Sequence, residues 1–269
     1  MTDLRKHFIV EPGTKVDLSR IDPGDTSRVG DKEGAKARLE EDAVEIDRLQ
    51  DRLFAEGQHA LLIILQGMDT SGKDGTIRAV FRATGPAGVL VKAFNRPTPE
   101  ELAHDFLWRI HRACPQRGTI GIFNRSQYED VLVGRVRKLA PKEVIEHRYN
   151  QINAFEDLIA SSTKVLKFML HISKEEQGER LKARLDDPKK HWKFDPGDLE
   201  DRKLWDDYMN AYEQVLSRCS TEVAPWYVIP SDRKWARNAA IASIVRRTLE
   251  ELDPKYPQPT WDPNEFKVT

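Results

Sequence analysis

Residues Gly67 to Gly75, Gly-Met-Asp-Thr-Ser-Gly-Lys-Asp-Gly, carry the densest chemistry in the chain. They match G-x-x-x-x-G-K, the spacing of a phosphate-binding loop. In such a loop the glycines let backbone N–H groups turn inward around a phosphate, and the dipole of the following helix favours the anion. Lys73 would bring a mobile positive charge to a transferred phosphoryl group. Gly67, Thr70, Ser71, Gly72, Asp74, Gly75 and Thr76 are the phosphate- or nucleotide-binding positions expected around it. The loop departs from the usual pattern at Asp74, where Ser or Thr normally holds Mg²⁺. An extra acid, Asp69, lies inside the loop. Carboxylate oxygens suit Mg²⁺, so Asp69 is the expected metal ligand.

A second segment, Ile120 to Asp130, runs from an apolar strand into polar groups, as a Walker-B strand does. Asn124 stands where an Asp is usual; it can ligate a water or hydroxyl but brings no charge. Arg125 would face the phosphates and offset charge in the transition state. The run Asn124-Arg125-Ser126 reads equally as a capped helix start.

These residues need a frame. Leu61 to Leu65 is a short apolar run closed by Gly67, which reads as a buried parallel strand. Val89–Phe94, Thr119–Phe123, Val165–Ile172 and Trp226–Ile229 read as four more. Helices are expected at 33–55, 73–82, 127–138, 141–161 and 231–252 from apolar spacing. Thr98-Pro99-Glu100-Glu101 and Ser173-Lys174-Glu175-Glu176 are capping-box starts. The first opens a helix with a stripe of Leu102, Phe106, Ile110 and Ala113, the second a helix to about Leu185. Strand alternating with helix implies a parallel sheet covered on both faces, with ligands at the carboxyl ends of its strands. Residues 1–31 read as an extended arm, 32–254 as the main domain carrying the phosphate loop and 255–269 as a Pro-rich tail.

Three ordered segments together resemble the family-2 polyphosphate kinases. They are Gly67–Gly75, Phe123–Asp130, and Glu179–Pro188 with His191-Trp192-Lys193-Phe194 and Asp198-Leu199-Glu200. The likeness runs from about residue 33 to 252. It implies a P-loop kinase-like α/β three-layer sandwich, with a thymidylate-kinase-like five-stranded parallel sheet and a helical lid at about 179–198. It implies Mg²⁺-dependent phosphoryl exchange between inorganic polyphosphate and a nucleotide, with Mn²⁺ as an alternative metal. Asp69 matches the family's loop acid, Lys73 and Arg125 its phosphate-handling cations, and Arg184 a lid arginine. Many members carry Asp where this chain has Asn124, a Trp-Tyr pair where it has Gln127-Tyr128, and Asn-Arg where it has Glu129-Asp130; Tyr128 and Glu129 are still expected among the phosphate- or nucleotide-binding residues. Asn124 resembles the single-domain branch that accepts nucleoside monophosphates as well as diphosphates. That is the basis for expecting AMP and ADP as acceptors, with ATP as a product or reverse substrate.

Independently of the family, residues 179–193 hold Arg180, Lys182, Arg184, Lys189, Lys190, His191 and Lys193. A phosphate polymer is charged along its length, so its track needs several cations. Arg180, Arg184 and Lys193 are the expected contributors. Lys92 is a further candidate for nucleotide phosphate. Arg233, Lys234 and Arg237 open the last helix, where cations oppose the dipole, and could extend the track.

The chain has 269 residues and a formal net charge of -1, so it is no bulk polycation of the kind that coats nucleic acid. No signal peptide or membrane span is legible, and Cys114 and Cys219 make no metal spacing. A cytoplasmic protein with reduced thiols, assembled as a homodimer or homotetramer through its long first helix, is expected. An ATP-dependent nucleotide or nucleoside kinase shares the loop, the lid and the fold. A nucleotide-binding switch without turnover would also suit the Asp74 and Asn124 departures.

Overall fold

The computed structural model describes residues 3–262 and 265–266; the remaining positions of the expected arm and tail lie outside the described residues. In chain order the elements are α1 (Arg5–Phe8), β1 (Ile9–Val10), α2 (Lys32–Glu56), β2 (Ala60–Gln66), α3 (Lys73–Val80), β3 (Val89–Ala93), α4 (Pro99–Leu102), α5 (Trp108–His111) and β4 (Ile120–Asn124). There follow α6 (Glu129–Val136), α7 (Lys142–Ala160), β5 (Thr163–His171), α8 (Lys174–Leu185), α9 (Pro196–Lys203), α10 (Trp205–Cys219), β6 (Trp226–Pro230) and α11 (Lys234–Leu252).

The sheet has six strands in the order β1-β6-β5-β2-β4-β3. Five are parallel, as expected; the sixth, β1, pairs antiparallel with β6 and comes from the expected arm. The arm is therefore sewn into the fold. Its Val16 N–H donates to Ser217 and its Leu18 N–H to Glu213, both on α10, while the Val10 carbonyl accepts from Ser220. A two-residue strand has no readable period, so only the sheet edge reveals it.

Side chains alternate across β2 because a strand has period two. Leu62 and Ile64 pack with Ile152, Tyr212 and Val215 on one face. Leu61, Ile63 and Leu65 pack with Leu39, Ile46 and Ile244 on the other. This makes the three-layer sandwich. The register pairs Leu65 with Asn124 and Ala93 with Asn124, so three strands end level at one edge.

Two expected helices differ. The stripe from Leu102 to Ala113 is broken into α4 and α5, because the Asp105 carboxylate accepts from the Leu107 N–H and turns the chain between them. Leu102 is consequently 71% exposed. At Ser173 the cap is only half a box: its hydroxyl accepts from the Glu176 N–H, but the Glu176 carboxylate takes Arg180 instead. Helix α10 was not expected, although Tyr208, Ala211, Tyr212, Val215, Leu216 and Cys219 recur at helical spacing and are all buried.

One charged pair is wholly inside. Lys167, in the middle of β5, donates to Glu156 of α7 at 2.5 Å, to the Tyr128 hydroxyl at 2.8 Å and to the Cys219 carbonyl at 2.6 Å. Tyr128 and Gln127 also donate to Glu156. All three ammonium protons are satisfied, and four segments meet there. Breaking such a pair leaves a buried charge uncompensated. Lys167→Met should therefore cost about 3–5 kcal/mol in urea-induced unfolding.

Candidate active site

The residues after β2 form a tight loop. Thr70 and Gly72 sit in the left-handed region, at φ 65° and 106°. The Ser71 N–H donates to the Met68 carbonyl at 3.0 Å, and the Thr76 N–H to the Gly72 carbonyl at 2.9 Å. The first N–H groups of α3 have no acceptor within their own helix, and the helix dipole makes that end attractive to an anion. The Thr70 and Ser71 hydroxyls are buried without a hydrogen-bond partner among the described residues. A buried hydroxyl normally finds one, so the loop is built with hydrogen-bonding capacity in reserve.

The loop forms the floor of a cleft of about 990 Å³, reaching to the ends of β3 and β4, to α8 and α9, and to the start of α11. Nine Lys and Arg residues line it against four Asp, in a chain whose total charge is almost balanced. Lys73 is buried and donates to the Gly67 carbonyl at 2.7 Å and the Met68 carbonyl at 3.3 Å. Burial lowers its pKa, and the Asp69 carboxylate opposes that shift. Arg125, at the end of β4, donates to Asp69 at 2.6 Å and lies 3.7 Å from Glu129. Burial pulls its pKa down, but these two carboxylates outweigh burial and hold it above its ordinary value. The Arg125 backbone sits at φ 64°, a conformation a long side chain adopts only when its surroundings dictate it.

Asp69 also meets an acid from the far side of the cleft. Burial pushes its carboxyl up, but the Lys73 and Arg125 charges pull it below the usual range. Asp198, on α9, is pushed up to about 7 by burial, then by the like charge of the Asp69 carboxylate and its hydrogen-bond contact with it. Arg184 donates to Asp198 at 3.2 Å and to the Lys193 carbonyl at 2.9 Å. Asn124 donates to Asp74 at 2.6 Å, joining the β4 end to the loop.

The structure thus gathers Asp69, Thr70, Gly72, Lys73, Asp74, Gly75, Asn124, Arg125, Arg180, Arg184 and Lys193 around one cleft. Gly67 and Glu129 line a smaller cavity beside it, with Asp69 and Arg125. Four of the sequence candidates stand elsewhere. Ser71 is fully buried behind the loop, and Thr76 faces α11, 3.4 Å from Asn238. Tyr128 does not reach the cleft: it belongs to the buried Lys167–Glu156 pair and packs edge-on against Trp226. Lys92 is exposed on edge strand β3, its ammonium 5.9 Å above the ring of Phe94, and is not part of the cleft wall. Arg180 lines the cleft, but its guanidinium is committed to the carbonyls of Thr70, Ser71, Ser231 and Asp232.

Sequence reasoning passed over Asn95 and Arg96, which follow β3 and line the cleft. The rule that singled out Asn124 and Arg125, polar residues at a strand's carboxyl end, would have found them. Lys190 is not among the expected contributors to the track, and Asp198 is given no role of its own; both line the cleft. The signal for Asp198 is its place in the Asp198-Leu199-Glu200 run that carries part of the resemblance.

A family model described as polyphosphate kinase 2 matches residues 29–257. The chain is 52% identical over 258 residues to the AMP/ADP-polyphosphate phosphotransferase of Meiothermus ruber, covering 94% of this chain and 96% of that one. It is 42% identical over 272 residues to the ADP-polyphosphate phosphotransferase of Rhodopseudomonas palustris, covering 95% and 93%. The crystal structure of polyphosphate kinase 2 from Arthrobacter aurescens superposes with a TM-score of 0.94 at 42% identity, over 98% of this chain and 95% of that one. A match of this extent takes in the phosphate loop, the Asn124–Arg125 strand end and the α8–α9 segment alike, and the chain belongs to the polyphosphate kinase 2 family.

Proposed function

We propose that this chain transfers phosphoryl groups between inorganic polyphosphate and adenine nucleotides, phosphorylating AMP as well as ADP. The observation that carries the reading is the cleft: a phosphate loop at its floor, and nine cations against four acids along its walls. A mononucleotide needs few cations, whereas a polymer charged at every unit needs a lined groove. Full-length similarity to a relative named for both AMP and ADP supports the pair of acceptors.

The donor set fits a hard divalent cation. Asp69 and Asp198 bring two carboxylates into contact beside the loop. Among the described residues no third His, Cys, Asp or Glu joins them in a metal-binding group. Mg²⁺ accepts one or two carboxylates and completes its shell with phosphate oxygens and water, and Mn²⁺ takes similar oxygen donors. When bound, the ion would neutralise charge on the transferred phosphoryl group.

The acceptor phosphate is already ionised, so no strong general base is needed. In-line transfer then requires alignment and charge neutralisation. Lys73 leaves the Gly67 and Met68 carbonyls for the transferred group. Arg125, braced by Asp69 and Glu129, meets charge on the same group from the β4 side. Residues 179–198 act as a lid: Arg184 and Lys193 descend with it, and desolvation strengthens their contacts. Arg180 pins the base of the lid to the loop. A homo-oligomer completes this reading, supported by the exposed Val44 and Phe54 on α2.

Three outcomes follow. Protein supplied with long-chain polyphosphate, Mg²⁺ and either AMP or ADP, without ATP, should form ADP or ATP, resolved by ion-exchange chromatography; activity only with an ATP donor would sink the proposal. Lys73→Ala should lower turnover by at least about a thousandfold while leaving the circular dichroism spectrum unchanged. Chelation with EDTA should abolish transfer, and excess Mg²⁺ should restore it.

A further inference from the structure

Arg237 is nearly fully buried, at 2% exposure, yet it lines the floor of the cleft from the first turn of α11. Its guanidinium donates to the Ser71 carbonyl at 2.8 Å and to the Asn238 side-chain oxygen at 3.1 and 2.8 Å. Every one of these acceptors is neutral. A buried arginine ordinarily has a carboxylate partner; here the nearest charge with influence is another cation, Arg180. Burial, then Arg180, pull the Arg237 guanidinium down to about 9, which still leaves it charged at neutral pH.

The loop is shaped around it. A Cβ on Gly72 would lie 2.0 Å from the Arg237 Nη1, so the guanidinium rests directly against glycine backbone. Arg180 reaches the same Ser71 carbonyl at 3.2 Å. Two cations therefore hold the rear of the loop by its carbonyls. This fixes the loop backbone; Arg180 is paired with Glu176 at 2.8 Å, whereas Arg237 meets no carboxylate among the described residues and keeps its charge a short distance behind the anion site.

We propose that Arg237 is a positioning residue for phosphate, holding the Ser71 carbonyl behind the loop and supplying a buried charge that only the substrate's phosphates neutralise. The inference rests on the phosphate-transfer reading above. It differs from a structural staple in one respect: an uncompensated charge opposes folding of the ligand-free protein and favours the bound state.

The test uses the full chain, with inorganic tripolyphosphate as the probe, calorimetric titration for affinity and melting temperature for ligand-free stability. Arg237→Met removes the charge at similar length, and Arg237→Lys keeps it. Arg237→Met should weaken tripolyphosphate binding by about tenfold or more, with a ligand-free melting temperature equal to or above that of the unaltered protein. Arg237→Lys should recover most of the affinity. Unchanged affinity in Arg237→Met overturns the inference alone. So does a lowered ligand-free melting temperature with weak binding that Arg237→Lys fails to rescue, because that pattern is a staple's. If the unaltered protein does not bind tripolyphosphate, the functional reading falls as well.

Discussion

Crowding positive charge at one edge of a sheet is the constraint on which this molecule is built. The chain as a whole is nearly neutral, yet its cleft is strongly cationic. Like charges this close repel, and pairing each with a carboxylate would remove the attraction for a polyanion. Main-chain carbonyls do part of the holding instead. Lys73 is held by the carbonyls of Gly67 and Met68 and Arg237 by that of Ser71, while Arg180 adds the carbonyls of Thr70, Ser71, Ser231 and Asp232 to its pair with Glu176. A carbonyl orients a cation and satisfies its protons without cancelling its charge. The site is thereby organised in advance and remains attractive to phosphate.

The interior solves the opposite problem. Lys167 carries its charge through the middle of β5, where no substrate arrives, and there Glu156 compensates it fully, with Tyr128 and Gln127 satisfying the remaining acceptor capacity. The contrast separates two uses of a buried cation. One closes a network between β5, α7, the β4–α6 turn and the end of α10; the other waits for an anion. Tyr128 shows how close they lie in sequence, since it belongs to the first although only two residues separate it from Arg125, which belongs to the second.

The geometry at Asp69 joins the phosphate loop, the end of β4 and α9 in one contact. Asp69 bridges to Arg125 on the β4 side and meets Asp198 from α9. Arg184 touches both Asp198 and the Lys193 carbonyl. The α8–α9 segment thus forms part of the surroundings of the loop acid itself.

Much of the frame was legible because its signals are local. A buried run ending in glycine, then Gly-Lys at the right interval, defines strand, loop and helix within a dozen residues. The five parallel strands and the Thr98 capping box were readable for the same reason. Where a signal was weak or competed with a neighbour, reading failed: the two-residue β1 has no period, Asp105 diverts its helix by a side-chain bond, and Glu176 answers Arg180 rather than its own cap. Sequence by itself determined which residues could bind phosphate. Tertiary structure alone decided which of them face it. Ser71 and Arg237 are 166 positions apart and Asp69 and Gln177 are 108 apart. Such contacts exist only after the strands have aligned and the helices have packed, and no local spacing encodes them.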